Sequence, residues 1–157
     1  MRIIIIILLI LCSSCKNIVT HHLDEGLVEL ENSKQVKKEL IEGYLIHSVG
    51  FFKNDNGTQK IAIRLNEEIT EELISKYTLG IHIKPYGSDS VYLPKGKNYI
   101  SFDFVPKLSN FDDYKYIIKD FETSIKQIKS IRFFLYNLGK YEKRYGNNVT
   151  IKNVRLY

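Results

Sequence analysis

From Tyr44 onward the apolar residues fall on every second position, the period of an extended strand whose alternate side chains face opposite ways. Ile61, Ile63 and Leu65 share a face in 59–65, and this segment is joined to 44–53 by Asn54-Asp55-Asn56-Gly57, a cluster that tolerates positive φ. Leu79, Ile81 and Ile83 alternate with Gly80, His82 and Lys84; Ile100, Phe102 and Phe104 alternate with Ser101 and Asp103; Ile131, Phe133 and Leu135 repeat the pattern. A short edge is expected over 91–93, between Pro85 and Pro94. Residues 114–120 fit a strand or a helix; the reading adopted is a strand followed by a helical turn over 122–128. In the last strand Val149 and Ile151 keep one phase and Val154 and Leu156 the other, a slip that a β-bulge near Lys152-Asn153 explains. One helix interrupts the series, over 66–77, with Glu67, Glu68, Glu71 and Glu72 near its amino end and Ile69, Leu73 and Tyr77 on one stripe. The expectation is a mainly β protein, a single two-sheet antiparallel β-sandwich with one or two short helices.

Ahead of that domain, 16–43 is polar and poor in aromatic residues. Val36, Leu40 and Ile41 fall loosely at helical spacing, so this stretch reads as a tether with a short helix over 34–42. The chain thus divides into 1–14, 15–43 and a β-domain over 44–157. With 143 residues after position 14, one domain buries about two-thirds of its unfolded surface and needs no staples.

Met1 and Arg2 give one short positive end, Ile3 to Leu11 give nine unbroken apolar residues, and Ser13 and Ser14 are small. This is the layout of a signal peptide. A spanning helix needs roughly 20 apolar residues, about twice this run. The stretch Cys12-Ser13-Ser14-Cys15 resembles the lipobox of bacterial lipoproteins, with Cys12 where leucine is usual. The resemblance implies cleavage before Cys15, a thioether-linked diacylglycerol on its sulfur, acylation of its new amino group and residence in the bacterial cell envelope, on the outer membrane. Each buried CH₂ of such chains contributes about 0.8 kcal/mol, so two or three chains hold persistently. The C-terminal third, from IKSIRFFLYNLGK to NVRLY, is similar to the closing strands of galactose-binding-like sandwiches, which include many carbohydrate-binding modules. That similarity implies a fold and transfers no site.

Of the two cysteines, Cys12 leaves with the leader and Cys15 carries lipid, so thiol and disulfide chemistry are excluded from the mature domain. The 18 lysines and 5 arginines are spread along the chain and not clustered, which argues against nucleic-acid binding. No metal or cofactor motif is expected. His21-His22 is an adjacent pair on the tether, whose side chains diverge, and His47 and His82 stand singly in strands. Asp112-Asp113 lacks the alternating oxygens of an EF-hand loop and reads as a turn. Asp103, Asp120 and Glu122 are the carboxylates available for a glycosidase-like pair, and nothing in their spacing selects that chemistry. The reading is not an enzyme, with no catalytic residue assigned.

Eleven tyrosines and eight phenylalanines, with no tryptophan, carry what functional content there is. Phe102, Phe104, Phe133 and Phe134 are expected in the core. Tyr86, Tyr92, Tyr141 and Tyr145 lie in turn-rich segments, where a ring can stack on the apolar face of a sugar while its hydroxyl stays wet. They are the candidate ligand-binding residues. Asp89-Ser90-Val91 resembles a short motif glycosylated on some exported proteins, with Ser90 the acceptor. Three functions remain open: a lipid-anchored module for glycan or another small polar ligand; a protein-binding lipoprotein acting as inhibitor, immunity-like or envelope-assembly factor; and a hydrolase. An aromatic sheet face favours the first, a flat apolar patch the second, and paired carboxylates in a pocket the third.

Overall fold

A computed structural model of the chain describes residues 20–23, 26–29, 34–53, 59–86, 98–111, 113–120, 127–138 and 140–155. The expectations at Cys15, Ser90, Tyr92 and Glu122, the edge over 91–93 and residues 122–126 of the helical turn expected over 122–128 lie outside the described residues; the last two residues of that turn, Gln127 and Ile128, are strand instead, because they pair with Arg155 and Val154. Among the described residues eleven strands and one helix follow in the order β1 (Thr20–Leu23), β2 (Gly26–Glu29), β3 (Lys34–Ile41), β4 (Tyr44–Lys53), β5 (Gln59–Leu65), α1 (Glu71–Ser75), β6 (Tyr77–Pro85), β7 (Ile100–Phe104), β8 (Ser109–Phe111), β9 (Tyr114–Asp120), β10 (Gln127–Asn137) and β11 (Lys140–Arg155).

Two antiparallel sheets form the expected sandwich, one of order β3-β4-β5-β9-β8 and one of order β11-β10-β6-β7. The first contributes Tyr44, Ile46, Val49, Phe51, Ile61, Ile63, Leu65 and Ile117 to the core. From the second come Leu79, Ile81, Ile83, Ile131, Phe133, Leu135, Val149 and Ile151. Each such side chain contributes roughly 1.5–3 kcal/mol on burial. Ile100, Phe102 and Phe104 point inward as the alternation requires, half-buried on the edge strand β7.

The helix expected over 34–42 is a strand. β3 pairs with β4, Lys38 opposite Ile46 and Ile41 opposite Tyr44. A spacing of four, as between Val36 and Leu40, satisfies period two as well as a helical turn, and pairing with β4 decides between them. The expected helix over 66–77 shortens to five residues, because Tyr77 opens β6. Thr70 caps α1 by accepting from Leu73 N at 3.2 Å, and Ile69 and Ile74 bury against the end of the sandwich.

At the other expected irregularity, Asn153 adopts φ 56°. Ile128 and Val154 share the core with Ile131 and Ile151, so both partner strands change phase together. The β10–β11 pairing therefore stays in register here, and the slip falls between β10 and β6.

The sheets meet along β3 and β11, where Asn147 donates to the Glu39 carbonyl at 3.5 Å and Gly146 lies on Leu40. On the other side of the five-stranded sheet, the β1–β2 hairpin has β1 beside β8 and β2 beside β4, so it straddles β5 and β9. The outward residues Ser48, Lys60, Ala62 and Tyr116 are correspondingly buried. Two buried faces explain why Ile61-Ala62-Ile63 and Tyr116-Ile117-Ile118 read as apolar runs.

Candidate functional site

The outer face of the four-stranded sheet is built by strand pairing into four rows. Lys84, Ser130 and Lys152 form the first; Ser101, His82, Arg132 and Thr150 the second; Asp103, Gly80 and Phe134 the third; and Thr78, Tyr136 and Arg144 the fourth. Rows two residues apart are about 7 Å apart.

Phe134 is the centre. Phe133 points into the core and Phe134, its neighbour, must point out. It nonetheless has no exposed surface. Its ring lies over Gly80, where a side-chain carbon would collide with it. His82 meets it edge-on at 4.6 Å and Tyr136 at 5.3 Å, while the Arg144 guanidinium lies over it at 4.1 Å. Tyr99 extends the cluster by stacking on His82 at 4.3 Å. The half-buried rings of Tyr99, His82 and Tyr136 form its rim, with Ser101, Asp103, Arg132 and Arg144 exposed around them. Guanidinium over a ring is favourable by about 0.5–1 kcal/mol at exposed sites, and it fixes the direction in which Arg144 offers its N–H groups.

The candidate tyrosines do not assemble into one site. Tyr86 is 40% exposed at the end of β6, its hydroxyl donating to Asn153 Oδ1. Tyr145 is 47% exposed and stacks on Tyr77 at 5.4 Å, at the start of β6. Those two ends are about 30 Å apart at 3.3 Å per residue. Tyr141 lies within β11, and Tyr92 is outside the described residues. Of the rings that do converge, His82 keeps its expected place on the polar phase, whereas Phe134 leaves the core for the outer face. The signal was the unbroken run Phe133-Phe134-Leu135-Tyr136, which puts apolar residues on both faces of β10 at once.

Asp103 and Asp120, the two candidate carboxylates among the described residues, do not converge either. Asp103 sits on the outer face of the four-stranded sheet, and Asp120, on the other sheet, pairs with Lys60 at 3.2 Å. Among the described residues no three His, Cys, Asp or Glu side chains gather as they would around a metal ion. The molecule is a β-sandwich with an aromatic and cationic sheet face. No known protein family, curated protein or solved structure matches the chain.

Proposed function

We propose that this protein is a lipid-anchored binding module of a bacterial cell envelope, held at the outer membrane through Cys15, and that it takes a glycan or another small polar ligand on the outer face of its four-stranded sheet. One observation carries the reading: Tyr99, His82, Phe134 and Tyr136 form a continuous ring cluster at mid-sheet, rimmed by hydrogen-bonding side chains. Apolar sugar faces stack on such rings, and hydroxyl groups find donors in Arg132 and Arg144 and acceptors in Asp103 and Ser101. Support for the anchor comes from the leader and from Ser13-Ser14-Cys15.

A glycan screen with the detergent-solubilised full chain tests the site. Tyr136→Ala is expected to weaken binding about two- to tenfold, the loss of roughly 0.5–1.5 kcal/mol of ring contact. Tyr86→Ala, at the end of the sheet, should leave it unchanged. Equal effects of the two variants would remove the outer face from the reading. The protein-binding alternative draws on exposed Val105, Leu138 and Tyr145, which all lie toward the Tyr77 end of the same sheet. A partner bound there would be lost with Leu138→Asp and kept with Tyr136→Ala.

A further inference from the structure

Two bulges meet at His47, on the sheet opposite the aromatic rows. The pairing of β4 with β5 slips between Ile46 and Ser48, and that of β3 with β4 slips between Gln35 and Lys38. A bulge sets two residues of one strand against one of its partner, so His47 joins Ser48 opposite Arg64. Lys37, in the slipped stretch of β3, holds φ at 48°, a left-handed conformation that lysine rarely adopts. The result is a row of three cationic or titratable side chains, Lys37, His47 and Arg64, on three adjacent strands. The Arg64 guanidinium carbon lies over the Tyr114 ring, 3.5 Å from its centroid.

Two nitrogen atoms in this row, His47 Nδ1 and Arg64 Nε, are buried without a hydrogen-bond partner. Native structures seldom leave such groups unmatched, and strained, bulged backbone concentrates where a site has to be built. Burial and the charges of Arg64 and Lys37 together hold the imidazole below its ordinary pKa, with Glu67 opposing them. The row repels a further positive charge and leaves hydrogen-bonding capacity unused.

We propose that Lys37, His47 and Arg64 form a binding site for a phosphate group, with Arg64 and His47 donating to its oxygens and Lys37 supplying charge. The planar guanidinium fork suits a tetrahedral oxyanion, and two cations flanking an imidazole suit a phosphate group that offers several oxygens at once better than a single carboxylate. Free phosphate and the phosphate of a lipid headgroup present the same chemistry.

The test follows the His47 ring resonances of the full chain in nanodiscs. In neutral phosphatidylcholine discs, inorganic phosphate should shift them saturably and raise the imidazole pKa, so that binding strengthens as pH falls through the imidazole titration. The charged groups that act on His47 are Arg64 and Lys37, which oppose its protonation, and Glu67, which favours it. Lys37→Asn keeps a residue that accepts the left-handed backbone and removes the charge; it should weaken phosphate about tenfold without unfolding the protein. Phosphatidylglycerol discs separate the sources: a shift before any phosphate is added, abolished in Lys37→Asn, assigns the site to headgroups. A shift that requires added phosphate assigns it to the soluble ion. Resonances that do not move in either disc, or that move equally in Lys37→Asn, overturn the site.

Discussion

Tyr44 shows how one atom can tax a core. Its ring is fully buried and its hydroxyl has no hydrogen-bond partner. An unmatched buried hydroxyl costs about 1–3 kcal/mol, so Tyr44→Phe is expected to raise stability by about 1 kcal/mol in chemical denaturation. Burial also pushes the phenol well above its ordinary pKa. The folded state therefore keeps its proton where the unfolded state loses it, and stability falls as pH rises above about 10, by up to roughly 1.4 kcal/mol per unit. Tyr44→Phe should flatten that alkaline slope, and an unchanged slope would show that other groups set it. At Gly80 the balance is steric: Gly80→Ala forces the Phe134 ring aside and is expected to cost about 1–3 kcal/mol. The same variant should displace Arg144 and weaken ligand on the aromatic face. Much of this scale was legible, because alternation alone placed Ile61, Phe102 and Phe133 inward. Unmatched hydroxyls and ring-on-glycine contacts were not, since they depend on which residues the register sets opposite.

Elements were legible where pairing and periodicity agree. β5, β6 and β10 carry long alternating runs, and each lies inside its sheet. β3 failed the test because its charged residues Lys37, Lys38 and Glu39 resemble the wet face of a helix. As an edge strand it keeps the same charges in water, which also discourages pairing with another chain. The bulges around His47 were not legible for a related reason. A bulge is a relation between two strands, and each strand read alone gives no sign of it. In α1 the sequence signal was sound but the extent was not: four glutamates suggested three turns, and only the turn capped by Thr70 is helical. Thr70→Ala is expected to cost about 1 kcal/mol, visible as a lowered midpoint in thermal unfolding. A helix this short cannot distribute the loss, so Ile69 and Ile74 should loosen with it, and amide exchange at Ile74 should speed up. Protection at Ile74 that survives the substitution would mean that packing alone holds the turn.

At the scale of the molecule, closure of the sandwich rests on Gly146. It has φ 68°, and a side-chain carbon there would run into the Leu40 carbonyl. Gly146→Ala should part β11 from β3 and lower stability by more than the roughly 1 kcal/mol of a backbone substitution alone. The same experiment reports on the site, since β11 carries Arg144. Cys15→Ala, at the far end of the chain, should abolish lipid labelling and leave unprocessed precursor; a variant processed at the same position would end the anchoring proposal. If Cys15 is acylated, the β1–β2 hairpin fixes the posture of the whole protein. Only four residues separate Cys15 from Thr20, and five extended peptide units reach about 17 Å. The hairpin lies on the five-stranded sheet, so that is the side moored to the lipid. A fluorophore at Glu29→Cys should be quenched by brominated lipid, and one at Ser101→Cys should not. The domain then lies like a tile on its bed, with Lys37, His47 and Arg64 turned down toward the headgroups and the rings around Phe134 turned up to whatever drifts past.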